Sequence, residues 1–356
     1  MNPEPRLVPV AVLQEFCEAA LSRGGLSATD ARTTADVLVT TDTMGVFTHG
    51  TKSLRGYVRR LRAGGLNPLA QPRVVSEGPA WAIVDGNSAI GMVTSVFAMQ
   101  TAIRQAQAAG IAYVGVRNSC HFGAAGYYAA LAARAGQVGL AMANDTPSMA
   151  VPGSRGGVLG TNPFAYAVPA GEEDPILLDI ASSAVAGGKV RIVQSLGQQA
   201  PPGWLVDAEG VPTTDPFAYP FRGALLPFGG HKGYGIALMI EALAAVLTGA
   251  SVRWDVGSWI DSDPTRPTGH GAAFITIDVS AFDHVGAFKT RVDALIHAIR
   301  AEPKAKGSER IYVPGELEWS ARRQALDHGI PLPDDVRRSL RELADDLGLA
   351  APWLAD

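Results

Sequence analysis

The stretch WAIVDGNSAIGMVTSVFAMQTAIRQAQAAGIAYVGV, residues 81–116, decides the fold class. It contains two runs of branched and aromatic residues, 81–85 and 111–116, each typical of a β-strand. Between them, residues 92–109 carry apolar side chains at helical spacing, and Gly110 ends the predicted helix. A strand, a helix and a second strand in succession predict a mixed α/β domain.

Further elements are predicted on both sides of this segment. Ser27 and Asp30 predict a capping box at the start of a helix that runs toward Met44. Other predicted helices are 12–21, 52–63, 232–247, 287–300 and 336–347, and a further helix follows the polar loop after residue 116 and ends near Gly136. Other predicted strands are 138–143, 164–168, 176–180 and 273–279. The Gly-, Pro- and Gln-rich segment 185–230 has no assigned element.

These patterns predict three parts of the chain. They are a helical N-terminal part at 1–73, an α/β domain at 74–286, and a helical C-terminal part at 287–356 that packs with the N-terminal part.

Composition narrows the class of protein. Of the 356 residues, 47% are hydrophobic and 18% charged, which allows a large core and excludes a disordered chain. The net charge of −4 and the absence of like-charged blocks favour neither nucleic acid nor an anionic membrane as partner. The two cysteines form no CxxC pair and no disulfide framework, and the N-terminus lacks a signal-peptide pattern. We therefore expect a cytoplasmic protein.

A glycine-rich string stands out at 229–235, GGHKGYG, where a helix begins. It lacks the GxGxxG spacing of a Rossmann fold. Free backbone N–H groups at a helix start, together with Lys232, are suited to bind a phosphate. A tight turn that starts a buried helix explains the same glycines equally well.

Two other strings contain histidines. His49 lies between Thr48 and Gly50 and can exchange a proton near neutral pH, although the isolated triplet favours a helix start with Thr48 as its N-cap. His121 lies in the polar loop 118–123 between a strand and a helix, where α/β proteins often bind ligands. Its neighbour Cys120 is a weak candidate nucleophile, because sequence neighbours rarely hold the Cys–His geometry that activates a thiol.

The remaining polar positions are less specific. The strings 144–147 and 160–163 are turn-forming clusters. Asp179 ends a strand, where it can accept hydrogen bonds from a ribose diol or cap the following helix. None of the seven histidines pairs with another at the short spacing of a zinc site, so no metal is expected.

Taken together and in order, these strings resemble the type-2 malate/L-lactate dehydrogenase family, which includes ureidoglycolate and sulfolactate dehydrogenases and the Δ1-piperideine-2-carboxylate reductases. The resemblance covers nearly the whole chain. The matching strings are Thr48-His49-Gly50 with Tyr57, then AGGLNP at 63–68, VDGN at 84–87, NSCHFGAAGY at 118–127, GTNP at 160–163, LDIASS at 178–183, PTTDP at 212–216, FGGHKGYG at 228–235 and VPGE at 313–316.

The resemblance implies an α/β (α+β) fold with a largely antiparallel sheet, and a homodimer. It also implies that the α/β domain at 74–286 is a non-Rossmann NAD(P)-binding and catalytic domain. It implies hydride transfer between NAD or NADP and a small 2-oxo or 2-hydroxy carboxylic acid. Two alternatives stay open at this point. One is a reductase of a cyclic imine carboxylate, and the other is a non-catalytic ligand-binding relative.

The resemblance also implies roles for individual residues. His49 is the proton donor and acceptor, Thr48 stands where the family usually has a serine, and His121 is the second catalytic candidate. The implied cofactor-binding residues are His121, Phe122, Gly123, Thr161, Asn162, Asp179, Ser182, Ser183, His231, Lys232, Pro314, Gly315 and Glu316.

One position departs from the family pattern. Ser53 stands where many members have an arginine that binds the substrate carboxylate, and a serine hydroxyl cannot form the bidentate pair that arginine forms. Lys52, one residue earlier, is the candidate replacement as a point charge. The substrate-binding residues expected on this basis are Lys52, Ser53, Asn144 and Thr146.

Overall fold

A computed structural model describes residues 7–354. The strands are β1 (Leu7–Val8), β2 (Arg73–Gly78), β3 (Trp81–Asp85), β4 (Ile111–Ser119), β5 (Gln137–Ala143), β6 (Phe164–Val168), β7 (Ile176–Ile180), β8 (Leu205–Val206), β9 (Pro212–Thr213), β10 (Ala224–Leu225), β11 (His270–Asp278) and β12 (Ile330–Pro331). The α-helices are α1 (Val10–Arg23), α2 (Ala28–Thr43), α3 (Leu54–Ala63), α4 (Gly91–Ala109), α5 (Ala125–Arg134), α6 (Gly187–Ser195), α7 (His231–Glu241), α8 (Val285–Ala301), α9 (Glu316–His328) and α10 (Asp334–Leu347).

A seven-stranded sheet forms the centre of the fold, in the order β2-β3-β4-β11-β5-β6-β7. All neighbouring strands are antiparallel except β3 and β4, which are parallel and connected through α4. The predicted mixed α/β fold with a largely antiparallel sheet is confirmed. The late strand β11 lies between β4 and β5, and its start therefore lies beside the ends of both.

Both faces of the sheet are buried. Phe274 pairs with Val114 and Ala141 and faces the core that α4 and α5 cover. Its sequence neighbour Ala273 points the other way and packs with Ile240 of α7. Side chains alternate between the two faces of a strand, so helices on both sides explain the almost continuous apolar run in β11.

The two ends of the described chain meet. Strand β1 pairs with β12, α1 packs on α2, and α2 contacts α9. The division at 73 and 287 stays a prediction. No helix within residues 7–354 is long and apolar enough to span a membrane.

Several local predictions are confirmed and others are wrong. Ser27 Oγ accepts the Asp30 N–H at 3.1 Å, which confirms the cap of α2. The single helix predicted at 232–247 ends as an α-helix at Glu241 and continues as a π-helical turn, Ala242–Val246. Helix α9 was not predicted, because it buries only Trp319 and Ala325 and has little apolar periodicity. Helix α6 and the three-stranded sheet β10-β8-β9 lie in segment 185–230, for which the sequence predicts no element.

Candidate active site

A cavity of about 1660 Å³ opens where β4 and β5 end and β11 begins. Its walls come from the turn before α3, the loop before α5, the segment 143–148, helix α6 and the loop 254–261. Cavities for one drug-sized ligand have volumes of ~300–1,000 Å³. The cavity therefore has room for a cofactor together with a small substrate.

His49 is held in this cavity by a clamped turn. The Asp42 carboxylate at the end of α2 accepts the Thr51 N–H at 3.1 Å and its hydroxyl at 2.5 Å. A Cβ at position 50 would lie 1.8 Å from Asp42 Oδ1, so only Gly50 allows this approach. Burial raises the pKa of Asp42 to about 7, against the Thr51 hydrogen bonds that lower it. The clamp fixes the backbone on the C-terminal side of His49.

Thr48 orients the His49 ring. Its hydroxyl lies 2.9 Å from His49 Nδ1, which leaves Nε2 as the nitrogen that can meet a ligand. The interpretation of Thr48 as a helix N-cap is wrong, because the turn is followed by the 3₁₀ segment Thr51–Ser53 and Thr48 caps neither it nor α3. Desolvation lowers the pKa of His49 below 6.5, although the charge of Asp145 opposes this shift.

His121 lies beside His49, with ring centroids 5.7 Å apart. The Tyr57 hydroxyl donates to His121 Nδ1 at 2.5 Å, and the Gly123 N–H approaches the same atom at 3.4 Å. With Nδ1 as the acceptor, the neutral ring carries its proton on Nε2. Desolvation, and then the neighbouring His49, lower the pKa of His121 to about 3. Both histidines are therefore neutral near pH 7.

Trp259 covers His121 and comes from a loop that sequence reasoning did not single out. Its ring stacks on His121 at 4.4 Å and on Tyr57 at 5.1 Å. The loop is held by Arg60, a fully buried guanidinium that donates to the Trp259 carbonyl at 2.7 Å and to the Ser258 carbonyl at 2.8 Å. Arg60 thus connects α3 to the aromatic wall of the cavity.

Asp145 and His270 are two further polar residues that were missed. His270, at the start of β11, places Nε2 3.2 Å from Asp145 Oδ1. Asp145 lines the cavity, as do its sequence neighbours Asn144 and Thr146. The sequence signal for Asp145 was its place in the polar string 144–147. His270 lies before the predicted start of its strand at 273 and had no such signal.

Ser53 and the cations near it line the same cavity. Ser53 is buried, with Oγ 3.4 Å from the Thr48 carbonyl. Lys52 lines the cavity but pairs with Asp335 of α10 at 2.5 Å. The charge of Lys52 is therefore shared with a carboxylate.

Most predicted cofactor and substrate residues meet at the cavity. Those that line it, besides the histidines, are Thr48, Lys52, Ser53, Phe122, Gly123, Asn144, Thr146, Thr161, Asp179 and Ser183. Ser182 and Asn162 are buried just behind the wall. The Ser182 hydroxyl donates to the Thr161 carbonyl at 2.6 Å, and Asn162 Oδ1 accepts the Asp145 N–H at 3.1 Å.

Asp179 does not cap the following helix, so that alternative is wrong. Its Oδ2 instead accepts the Gly126 N–H at 2.7 Å, in the first turn of the earlier helix α5. Desolvation by the surrounding walls raises the pKa of Asp179 to about 6, against the Gly126 hydrogen bond. Asp179 still faces the cavity as an acceptor.

Besides Asn162 and Ser182, five other predicted cofactor residues lie outside this cavity. His231 and Lys232 are exposed at the start of α7. Glu316 pairs with Arg300 and Arg310. Pro314 and Gly315 precede it, and the Pro314 carbonyl accepts the N–H of Leu177, a cavity residue, at 3.0 Å.

Cys120 is buried, and burial raises the pKa of its thiol. A protonated, enclosed thiol is a poor nucleophile, which argues against the cysteine hypothesis. Within residues 7–354, no three His, Cys, Asp or Glu side chains are grouped to hold a metal ion.

Comparison with known proteins identifies the family. The pattern of the malate/L-lactate dehydrogenase family matches residues 8–341. The chain is 36% identical to a malate dehydrogenase from Pyrococcus horikoshii over 96% of both chains. It is also 36% identical to an Escherichia coli K12 protein named ureidoglycolate dehydrogenase (NAD(+)), over 92% of this chain and 93% of that one.

A solved structure agrees with these matches. The Δ1-piperideine-2-carboxylate reductase from Pseudomonas syringae superposes with a TM-score of 0.84 and 32% identity, over 95% of this chain and 99% of that one. The dehydrogenases and reductases among these relatives set aside the non-catalytic alternative. The chain belongs to the malate/L-lactate dehydrogenase family and is an oxidoreductase.

Proposed function

We propose that this enzyme transfers hydride between NAD(P)H and C2 of a small 2-oxo acid, with His49 as the proton donor in reduction and the acceptor in oxidation. The observation that carries the proposal is the Thr48–His49 pair on the clamped turn. Thr48 occupies His49 Nδ1, so His49 Nε2 is the atom available to a substrate. The nicotinamide supplies the hydride. His49 supplies the proton to the oxygen that becomes the alcohol.

The residues present fit a nicotinamide cofactor. The cavity exceeds the volume needed for a substrate alone, and Asp179 presents a carboxylate in it next to the first turn of α5. A carboxylate at such a position suits a ribose diol. Thr161, Phe122 and Ser183 form neighbouring parts of the wall. We propose NAD or NADP as cofactor, and a cytoplasmic homodimer as the form of the enzyme.

The wall near His49 also suits a carboxylate substrate. A Cβ on Gly188 would lie 3.1 Å from Thr48 Cγ2, so the first turn of α6 contacts the catalytic turn. Lys189, the next residue, lines the cavity, and its ammonium forms no ion pair within residues 7–354. It supports carboxylate binding where Ser53 does not.

The direct test is oxidation of NADH and NADPH by the purified protein, followed spectrophotometrically. The panel contains pyruvate, oxaloacetate, bulkier 2-oxo acids and a cyclic imine carboxylate. We expect NADH or NADPH to be oxidised with at least one of these substrates, and a clear preference for one of the two cofactors. If neither cofactor binds and no substrate reacts, the proposed function is wrong.

The pH dependence should follow the lowered pKa of His49. Oxidation of the hydroxy acid needs the neutral ring, so a lower pKa extends its activity to the acid side of pH 6.5. Reduction needs the protonated ring, so its rate should fall as pH rises through that same lowered pKa. The charge of Asp145 opposes this lowering of the His49 pKa. Profiles of kcat/KM in both directions check this; an acid limb for oxidation centred above pH 7 would contradict it.

A second candidate is reduction of a cyclic imine carboxylate, favoured by the neutral state of both histidines beside an ionised Asp145. A protonated imine brings its own proton, so hydride addition to its carbon yields the neutral amine without a proton from His49. The product assay separates the two functions, because only the imine yields a secondary amine.

A further inference from the structure

Asp145 is one of the acidic residues that line the cavity, and the proton transfer by His49 leaves it without a task. Its Oδ1 accepts the Thr146 N–H at 2.7 Å and lies 3.2 Å from His270 Nε2. Its Oδ2 has no hydrogen-bond partner within the described part of the chain. The side chain is 26% exposed, and the residue lines the cavity. One carboxylate oxygen is therefore free to meet a ligand.

The scaffold holds this oxygen in place. Asn162 Oδ1 accepts the Asp145 backbone N–H, while Asn162 Nδ2 donates to the Ala237 carbonyl at 3.0 Å and to Glu241 at 2.9 Å. Asn162 is fully buried. A side chain fixed from both its backbone and its carboxylate loses little conformational freedom when it binds a ligand.

Asp145 is ionised. Desolvation alone would raise the pKa of its carboxyl, but the hydrogen bond and charge of His270 and the hydrogen bond from the Thr146 N–H hold that pKa below its usual value. An ionised carboxylate that is partly buried in a cavity attracts a cation or a hydrogen-bond donor and repels a second carboxylate. Ser53, which lines the same cavity, carries no charge that could neutralise such a repulsion.

We propose that Asp145 makes this enzyme select substrates that carry a protonated nitrogen, and reject dicarboxylates such as oxaloacetate. The proposal rests on the proposed function and names its substrate class. The nitrogen has two possible sources. It is either part of the reacting C=N bond of a cyclic iminium carboxylate or the end of a side chain on a 2-oxo acid.

The test compares four substrates with both cofactors: Δ1-pyrroline-2-carboxylate, 5-guanidino-2-oxopentanoate, 2-oxohexanoate and 2-oxoadipate. In that order, the first carries its positive charge on the reacting C=N bond. The other three are 2-oxo acids whose side chains end in a cationic, a neutral and an anionic group. We expect kcat/KM for one of the cationic substrates to exceed that for 2-oxoadipate by about 100-fold, since closely placed charge pairs change binding by about 10- to 1,000-fold. The preferred cation identifies the source. A preference for 2-oxoadipate would overturn the proposal.

The Asp145→Asn variant isolates the charge, because asparagine keeps the shape and can still accept a hydrogen bond from His270. It should lower kcat/KM for the preferred cation by about 10- to 100-fold and raise it for 2-oxoadipate. Asp255→Asn, an exposed residue outside the cavity wall, removes the same charge as a matched control and should change neither. An equal change for all four substrates in Asp145→Asn would contradict a role in selection.

Calorimetry of the same acids binding to the wild-type enzyme loaded with oxidised cofactor, which cannot reduce them, separates this proposal from the proposed function. If no substrate turns over but the cationic acids bind more tightly than 2-oxoadipate, the proposed reaction fails and the selectivity stands. If the enzyme reduces 2-oxohexanoate and binds all acids equally, the reaction stands and the role of Asp145 is wrong. This measurement does not depend on the folding of any variant.

Discussion

Replacement of His49 by alanine should lower turnover of the 2-oxo acid about 10²- to 10⁴-fold, with cofactor binding little changed. The reason is that Thr48 occupies Nδ1 and leaves Nε2 as the proton-transfer atom. The ring is not needed for the turn itself, since Asp42 holds that turn through Thr51. The measurement is kcat with saturating substrate, together with NADH and NADPH binding by fluorescence.

His121→Ala is the matched comparison, because its ring lies 5.7 Å from His49 in the same cavity. We expect a smaller loss of turnover from it, since Tyr57 and Gly123 occupy its Nδ1 and Trp259 covers one face of its ring. Turnover by His49→Ala close to that of the wild type, with a large loss in His121→Ala, would move the proton-transfer role to His121. Both losses should shrink with a cyclic iminium substrate, which carries its own proton.

The parts of the fold that were predictable are those fixed by neighbouring residues. Strands β6 and β7 were predicted at their observed bounds, because short apolar runs between turn residues are local signals. The position of β11 between β4 and β5 was not, because strand order depends on contacts between distant parts of the chain. The antiparallel sheet came from the family resemblance alone.

The candidate site divides in the same way. His49 was found as part of a recognisable string, but the reason for Gly50 was hidden, because the carboxylate that it accommodates belongs to Asp42 on another helix. Trp259 reaches the cavity from a loop and His270 from the start of β11, both far along the chain. His270 is 125 residues from its partner Asp145, and no local sequence pattern predicts a contact between residues so far apart.

A variant of Arg60 should show how strongly that distant loop is held. In Arg60→Met, the carbonyls of Ser258, Trp259, Ser262, Asp263 and Arg266 lose their buried donor. Each buried acceptor left unpaired costs about 1–3 kcal/mol, and water entering at the loop surface recovers part of this.

We therefore expect the free energy of unfolding to fall by about 3 kcal/mol in Arg60→Met, measured by urea denaturation. The same loop places Trp259 on His121. In the variant, the Trp259 ring should therefore become more exposed to water, which would appear as a red shift of tryptophan emission. Arg62→Met, at an exposed position on the same helix, is the control and should stay within about 0.5 kcal/mol of the wild type. Equal stability of the two variants would mean that the loop keeps its conformation without the guanidinium, and that Trp259 owes its place on His121 to aromatic stacking alone.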